Sequence, residues 1–288
     1  MFDAVIIGKG PAGLTAGIYL CRAGRKAVII GKDNKIWNKD VRINNVFGLG
    51  EVTGMDLMVK GEAQAKSFGA EIVNDLIVKV EMKSDNFRAV TAKGEEFIGK
   101  KLLIATGAPA KKKIANENDF IGKGVSYCVS CDGFFFKDKK VFVAGNSEFA
   151  LREAVELLDY TKDVTIISNG KKLLFDKELL DNKGIKFDDS KIIKITGKEV
   201  VAGIKTNKGV VKIDGLFVAL GDASSWDLAN MLGVIVKNNE ILADNNMRTN
   251  VNNVWAAGDC TPGLKQVITA MAKGGIAAAD MIRGGEWS

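Results

Sequence analysis

The residues that carry the most chemistry are Cys128-Val129-Ser130-Cys131-Asp132-Gly133. Two thiols at this spacing can close into a small disulfide, and their reactivity depends on how far the surroundings lower one thiol pKa. The carboxylate that follows, Asp132, is placed to carry protons, because the chain contains no histidine to do so. Two other uses of the pair fit less well. A zinc site needs more ligands than remain, since Cys21 and Cys260 are the only other cysteines and lie far off in sequence. A structural disulfide between near neighbours closes almost no loop and removes little entropy from the unfolded chain. The pattern therefore reads as a dithiol/disulfide couple.

Composition narrows the function classes further. Without histidine there is no Ser-His-Asp triad, no histidine-ligated metal and no histidine-ligated haem. A length of 288 residues suggests two domains of ordinary size, and 47% hydrophobic with 26% charged residues belongs to a folded globular chain. No apolar run approaches the ~20 residues of a membrane span, and a strand pattern starts at once without a basic leader; no membrane association is expected and the location expected is cytoplasmic. The net charge of +6 favours acidic partners. The lysines are scattered and no nucleic-acid motif accompanies them, so an acidic protein is the expected partner and no nucleic acid.

The elements that must position this chemistry begin at the N-terminus. Ala4-Val5-Ile6-Ile7 is a short apolar strand, Gly8-Lys9-Gly10-Pro11-Ala12-Gly13 a glycine turn, and a helical stretch runs on through Arg22. Such a turn lets backbone N–H groups approach a pyrophosphate at the positive end of the helix dipole. The next strand, Ala27–Ile30, ends at Gly31, where an acid often binds a ribose; Asp33 is the nearest substitute. The pattern then recurs. Val141–Ala144, Gly145-Asn146-Ser147-Glu148-Phe149-Ala150 and Val164–Ile167 align without gaps on the first copy, and Leu103–Gly107 corresponds to Phe217–Gly221 as the closing strand of each. Segments around Glu71–Val73, Ile77–Glu81 and Phe87–Thr91 alternate like a small antiparallel insertion. Val254–Ala257 reads as a strand and Gln266–Ile282 as a helix returning to the first domain. The expected fold is α/β with two Rossmann-like nucleotide-binding domains.

In their order along nearly the whole chain, the Gly8–Gly13 loop, Ala105-Thr106-Gly107, Cys128–Gly133 and Ala257-Gly258-Asp259 resemble the low-molecular-weight thioredoxin reductases. The resemblance implies an FAD domain, 1–112 with 241–288, interrupted by a central domain, 113–240, that carries the CxxC. It implies that Gly8, Gly10, Pro11, Ala12 and Gly13 cradle the FAD pyrophosphate, with Thr106 and Gly107 beside them, and that Gly258 and Asp259 meet the ribityl region. Asn45 matches an Asn-x-Pro-Gly segment near the flavin, and Lys265-Gln266-Val267 a segment usually read Arg-Gln-Val. The Gly-Gly-Gln that normally precedes Asn45 is absent, with Lys35-Ile36-Trp37-Asn38 in its region. Cys131 would face the flavin, Cys128 would attack thioredoxin, and a homodimer and an inter-domain rotation are implied.

The second copy departs from that family's pattern. Where NADPH binding expects a middle glycine the chain has Ser147, and after Ile167 it runs Ser168-Asn169-Gly170-Lys171-Lys172 with no arginine to clamp a 2′-phosphate. NADPH is therefore not expected to bind. The chain looks most like the flavin-containing ferredoxin-dependent thioredoxin reductases, in which electrons pass from ferredoxin through FAD and the Cys128–Cys131 disulfide to thioredoxin. Ferredoxins at about −400 mV facing thioredoxin near −270 mV leave roughly 130 mV, or ~6 kcal/mol for two electrons. Two alternatives stay open: an NADPH-dependent thioredoxin reductase, and a non-enzymatic flavin/dithiol sensor. Lys111-Lys112-Lys113 with Lys137, Lys139 and Lys140 read either as a ferredoxin dock or as solvated charge. Cys21 and Cys260 read as core thiols, and Trp287 as a frayed terminus or a ring stacked on flavin.

Overall fold

The computed structural model describes residues 1–33, 37, 41–108, 114–127, 129–220, 225–238 and 240–284, with the backbone alone given for Asn118, Ser130, Cys131, Ser225 and Trp226. Cys128, Lys35, Ile36, Asn38, Lys111, Lys112, Lys113, Gly221 and Trp287 thus lie outside the described residues. The chain divides into two compact units, 1–109 with 223–288, and 110–222.

In the first unit, β1 (Phe2–Ile7), α1 (Pro11–Arg22) and β2 (Ala27–Ile30) lead to a short hairpin of β3 (Arg42–Ile43) and β4 (Val52–Thr53). Helix α2 (Gly54–Ser67), capped by the Thr53 hydroxyl accepting from the Asp56 N–H, precedes β5 (Glu71–Val73), β6 (Ile77–Lys83), β7 (Asn86–Thr91) and β8 (Glu96–Ile104). The central strands are continuous apolar runs, as strands covered on both faces must be. β1 is parallel to β2 and β8, with Ile6 opposite Ile29 and Leu103. β6, β7 and β8 are antiparallel. The expected insertion therefore loses its first member: β5 pairs in parallel with β2, Ile72 opposite Ile29, and belongs to the main sheet.

The second unit repeats this plan. It contains β9 (Val125–Ser126), α3 (Val129–Asp132), β10 (Val141–Ala144), α4 (Glu148–Leu157), β11 (Val164–Ile167), α5 (Glu178–Asp181) and β12 (Lys186–Asp188). An antiparallel sheet of β13 (Ile192–Gly197), β14 (Val201–Thr206) and β15 (Gly209–Lys212) precedes β16 (Gly215–Val218). The parallel order is β12-β11-β10-β16-β9, with Val143 opposite Ile166 and Phe217.

The chain re-enters the first unit earlier than position 241. Helix α6 (Ser225–Met231), followed by β17 (Val236–Lys237) and β18 (Glu240–Ile241), puts Leu228, Ala229 and Val234 into the core with Ile77, Val80 and Phe87. Residues 223–240 thus fall in the first unit, where Leu228, Ala229 and Val234 are buried. β19 (Val254–Ala256) then pairs with β8, and α7 (Val267–Arg283) packs on α1. The two helices cross closely, since a Cβ on Gly274 would stand 2.1 Å from the Ala12 carbonyl oxygen. No described helix is long and apolar enough to cross a membrane.

Candidate functional site

Each glycine in the first loop answers a different demand. A Cβ on Gly8, whose φ is +112°, would lie 2.2 Å from the Ala105 oxygen, and one on Gly13 would lie 1.9 Å from the Gly8 oxygen. Both keep β1, α1 and β8 in contact. Gly10 differs: a Cβ there would meet nothing within 4 Å, so this glycine faces open space. Gly10 is also the extended N-cap of α1, with no side-chain cap, and Pro11 starts the helix with the φ it needs. The first-turn N–H groups, which no helix satisfies internally, face that opening with the positive end of the helix dipole. Such an opening could hold a diphosphate.

The neighbouring residues fit a large polar cofactor. The Thr106 hydroxyl, just beyond β8, is buried without a hydrogen-bond partner. Gly258 lies against the first turn of α1, its Cβ position 2.9 Å from the Ala12 Cβ, and it sets Asp259 beside the loop. Burial pushes the Asp259 carboxyl up, against the pull of Lys265 and Lys273. Asn45 and Gln266, far apart in sequence, are joined by the Asn45 amide donating to Gln266 Oε1 at 2.9 Å. Gln266 is the N-cap of α7, where it forms a capping box with Thr269, and Val267 begins the helix. Lys265 is turned to the protein itself, donating to the Thr261 carbonyl and pairing with Glu240 at 2.6 Å. Asp33 is likewise committed: it accepts from Lys9 and from Asn74 at 3.1 Å. Lys9, only 8% exposed, bridges Asp33 and Glu62; a lysine between two glycines at a strand end was the available signal for this ion pair. Cys260 is fully buried, its thiol donating to the Ala257 carbonyl, and burial pushes its pKa up to about 12.

In the second unit, the segment around the CxxC is held by carboxylates. The Ser126 hydroxyl, at the end of β9, donates to Asp132 Oδ2 at 2.6 Å. The Tyr127 hydroxyl donates to Glu117 Oε1, and Glu117 Oε2 accepts from the Ile114 N–H at 3.2 Å. The Val129 N–H, first in α3, donates to Glu153 Oε2 at 3.1 Å. Gly133 then turns the chain where a Cβ would strike the Tyr160 ring at 2.6 Å. Phe136 packs edge-on against Phe217, while Phe134 and Phe135 are exposed. Of the predicted redox residues, Asp132 is thus placed in a defined hydrogen bond, the Cys131 backbone lies in α3, and Cys128 lies outside the described residues. Sequence reasoning missed Glu117, Ser126 and Glu153. For Glu153 a signal existed: it falls on the stripe Phe149, Ala150, Ala154, Leu157 that α4 buries.

The second glycine loop has kept its internal contact and lost its opening. A Cβ on Gly145 would lie 2.4 Å from the Ala219 oxygen, as on Gly8 in the first copy. Asn146 instead turns to its own chain: its side-chain amide donates to the Lys172 carbonyl at 2.8 Å, and its backbone carbonyl accepts from the Leu174 N–H at 2.8 Å. Residues 172–174 are thereby tied to the loop. Ser147 is the N-cap of α4 but makes no capping bond, and its hydroxyl is buried without a partner.

Comparisons with known proteins agree with this geometry. The family model for pyridine nucleotide-disulphide oxidoreductases matches residues 2–274. A thioredoxin reductase of Peptoclostridium acidaminophilum is 35% identical over 96% of this chain and 95% of its own length. Among solved structures, an atypical thioredoxin reductase from Desulfovibrio vulgaris Hildenborough is 40% identical with a TM-score of 0.91, covering 98% of this chain and 97% of that one. A ferredoxin-flavin thioredoxin reductase from Clostridium acetobutylicum is 26% identical with a TM-score of 0.74, at the same coverage.

Proposed function

We propose, for a chain that belongs to the thioredoxin reductases of the pyridine nucleotide-disulphide oxidoreductase family, that it reduces thioredoxin with electrons taken from reduced ferredoxin and not from NADPH. The observation that carries the choice of donor is the Asn146 clasp. A dinucleotide loop must leave its backbone open to the pyrophosphate, and here the loop is hydrogen-bonded to residues 172–174 and carries a side chain at Ser147. The similarity to a ferredoxin-flavin thioredoxin reductase supports the same reading.

The first unit would hold FAD through the Gly8–Gly13 cradle, Thr106 and the Gly258–Asp259 turn, with Asn45 and Gln266 at the flavin end. Bound flavin supplies the conversion between a one-electron donor and a two-electron acceptor. In the second unit, Cys128 and Cys131 pass two electrons and two protons to the thioredoxin disulfide: the thiolate of Cys128 attacks it, Cys131 resolves the mixed disulfide, and the Cys128–Cys131 bond re-forms as thioredoxin leaves with two thiols. Asp132, oriented by Ser126, supplies and accepts protons at the thiols.

Mixing the oxidised holoprotein anaerobically with NADPH, and separately with reduced ferredoxin, tests the reading through flavin bleaching. Bleaching by ferredoxin alone is expected. Rapid bleaching by NADPH would make the protein an NADPH-dependent thioredoxin reductase.

A further inference from the structure

Asp259 sits in a turn whose other members are enclosed: Ala257, Gly258, Cys260 and Thr261 are buried, and Asp259 alone of this run is partly open. The turn is closed by Thr261, whose N–H and hydroxyl both donate to the Gly258 carbonyl, at 3.1 and 2.8 Å. A hydroxyl has one proton to give and two lone pairs that can accept. Lys273 of α7 uses them: its Nζ donates to Thr261 Oγ1 at 2.9 Å and also to the Pro262 carbonyl at 2.6 Å. The bonds therefore run in series from α7 through Thr261 to Gly258, the residue before Asp259, and each polarises the next. Lys265 holds the same turn through the Thr261 carbonyl and is itself paired with Glu240. Burial raises the Asp259 carboxyl, and Lys265 and Lys273 pull it back down. The residue after Lys273 is Gly274, where α7 meets the Ala12 carbonyl of the first glycine loop, and the N-cap of the same helix is Gln266, which holds Asn45. Lys273 thus ties the Asp259 turn to a helix that already touches the glycine loop and carries Gln266. A side chain fixed in place before its ligand arrives loses less freedom on binding.

We propose that Lys273 is a positioning residue for the cofactor: through Thr261 it fixes the turn so that Asp259 is held ready for the ribityl hydroxyls of FAD, in register with Gln266. The inference rests on the cofactor contact proposed above for Asp259. Its test measures FAD dissociation from the full-length holoprotein by dilution and ultrafiltration, with free FAD read in the filtrate. Lys273→Met, which keeps the stem and loses the donor, is expected to weaken FAD binding about tenfold. Lys273→Arg keeps a donor and should hold FAD within about twofold of the unaltered protein. Asp259→Asn should itself weaken FAD binding about tenfold. Because Lys273 acts through Asp259, adding Lys273→Met to Asp259→Asn should weaken binding less than about twofold further, where independent sites would multiply to about a hundredfold. Thr261→Val cuts the same series at its middle and gives the same comparison if Lys273→Met folds poorly. Equal losses in the Met and Arg variants, undiminished FAD in Lys273→Met, or the full multiplied loss in the double variant overturn the inference alone. If Asp259→Asn keeps its FAD, the cofactor contact assigned to Asp259 fails and the inference with it. An unaltered protein that holds no FAD overturns the proposed function as well.

Discussion

Gly10 and Ser147 stand at matching places in two copies of one strand-turn-helix unit, and their surroundings are opposite. Around Gly10 a side chain would meet nothing, and the unsatisfied N–H groups of α1 look outward. Around Ser147 the loop is drawn to residues 172–174 through Asn146, and the serine hydroxyl is enclosed without a partner. Of the packing glycines the first survives in both copies, Gly8 against Ala105 and Gly145 against Ala219, while the other, Gly13, is Ala150 in the later copy. The glycine that faces open space, Gly10, is replaced by Ser147. The parallel sheet needs the first kind to close, whereas the second kind is needed only while a dinucleotide has to approach.

Four changes sharpen this contrast, in decreasing order of effect. Gly8→Ala should abolish the soluble folded protein, since strain at φ +112° and the clash with Ala105 together cost about 3 kcal/mol or more; expression and thermal melting read it. Gly10→Val should leave the flavin-free fold intact and weaken FAD binding about a hundredfold, ~2.7 kcal/mol, seen by flavin titration of the apoprotein. If Gly10→Val keeps its flavin, the open cradle is not where the pyrophosphate lies. In the second copy, Asn146→Ala removes the side-chain bond to the Lys172 carbonyl and should speed hydrogen exchange of the neighbouring Leu174 amide about fivefold, matching one lost hydrogen bond of ~1 kcal/mol. Unaltered exchange there would mean the loop is closed by something other than the Asn146 side chain.

The smallest effect expected is at Asp259. Its carboxyl is raised by burial, so the folded state favours the protonated form. The associated stability is present below the ordinary value of 3.8 and is lost as pH rises through the raised one. At neutral pH the flavin-free protein therefore carries a penalty that Asp259→Asn removes, raising its melting midpoint by about 1 °C while flavin affinity falls. A lowered midpoint in the absence of flavin would show that Asp259 is structurally stabilising as an ion.

Much of the site was legible in the chain because its parts are local. Strand, glycine turn and helix are adjacent in sequence, so Gly8–Gly13 and Gly145–Ala150 were read in both copies, and Gly258-Asp259 follows its strand directly. Strand β19 and helix α7 followed from the same local rules. What escaped were pairings across the chain. Asn45 with Gln266, Lys9 with Glu62, and Val129 with Glu153 join residues that no periodicity relates. The return of the chain at 223 instead of 241 was missed for a similar reason: α6 is short, and only the pocket formed by Ile77, Val80 and Phe87 decides where Leu228 is buried.

By itself the sequence determined the two-copy α/β plan, the CxxC with its acid, and the loss of the second middle glycine, because backbone conformation and thiol chemistry depend on residue type and near spacing. Tertiary structure alone decided which charges meet. The choice of Asp33 for Lys9 and not for a ribose, and of Glu153 for the redox segment, turns on burial, which places a charge beside whichever partner the packed chain brings within hydrogen-bonding reach.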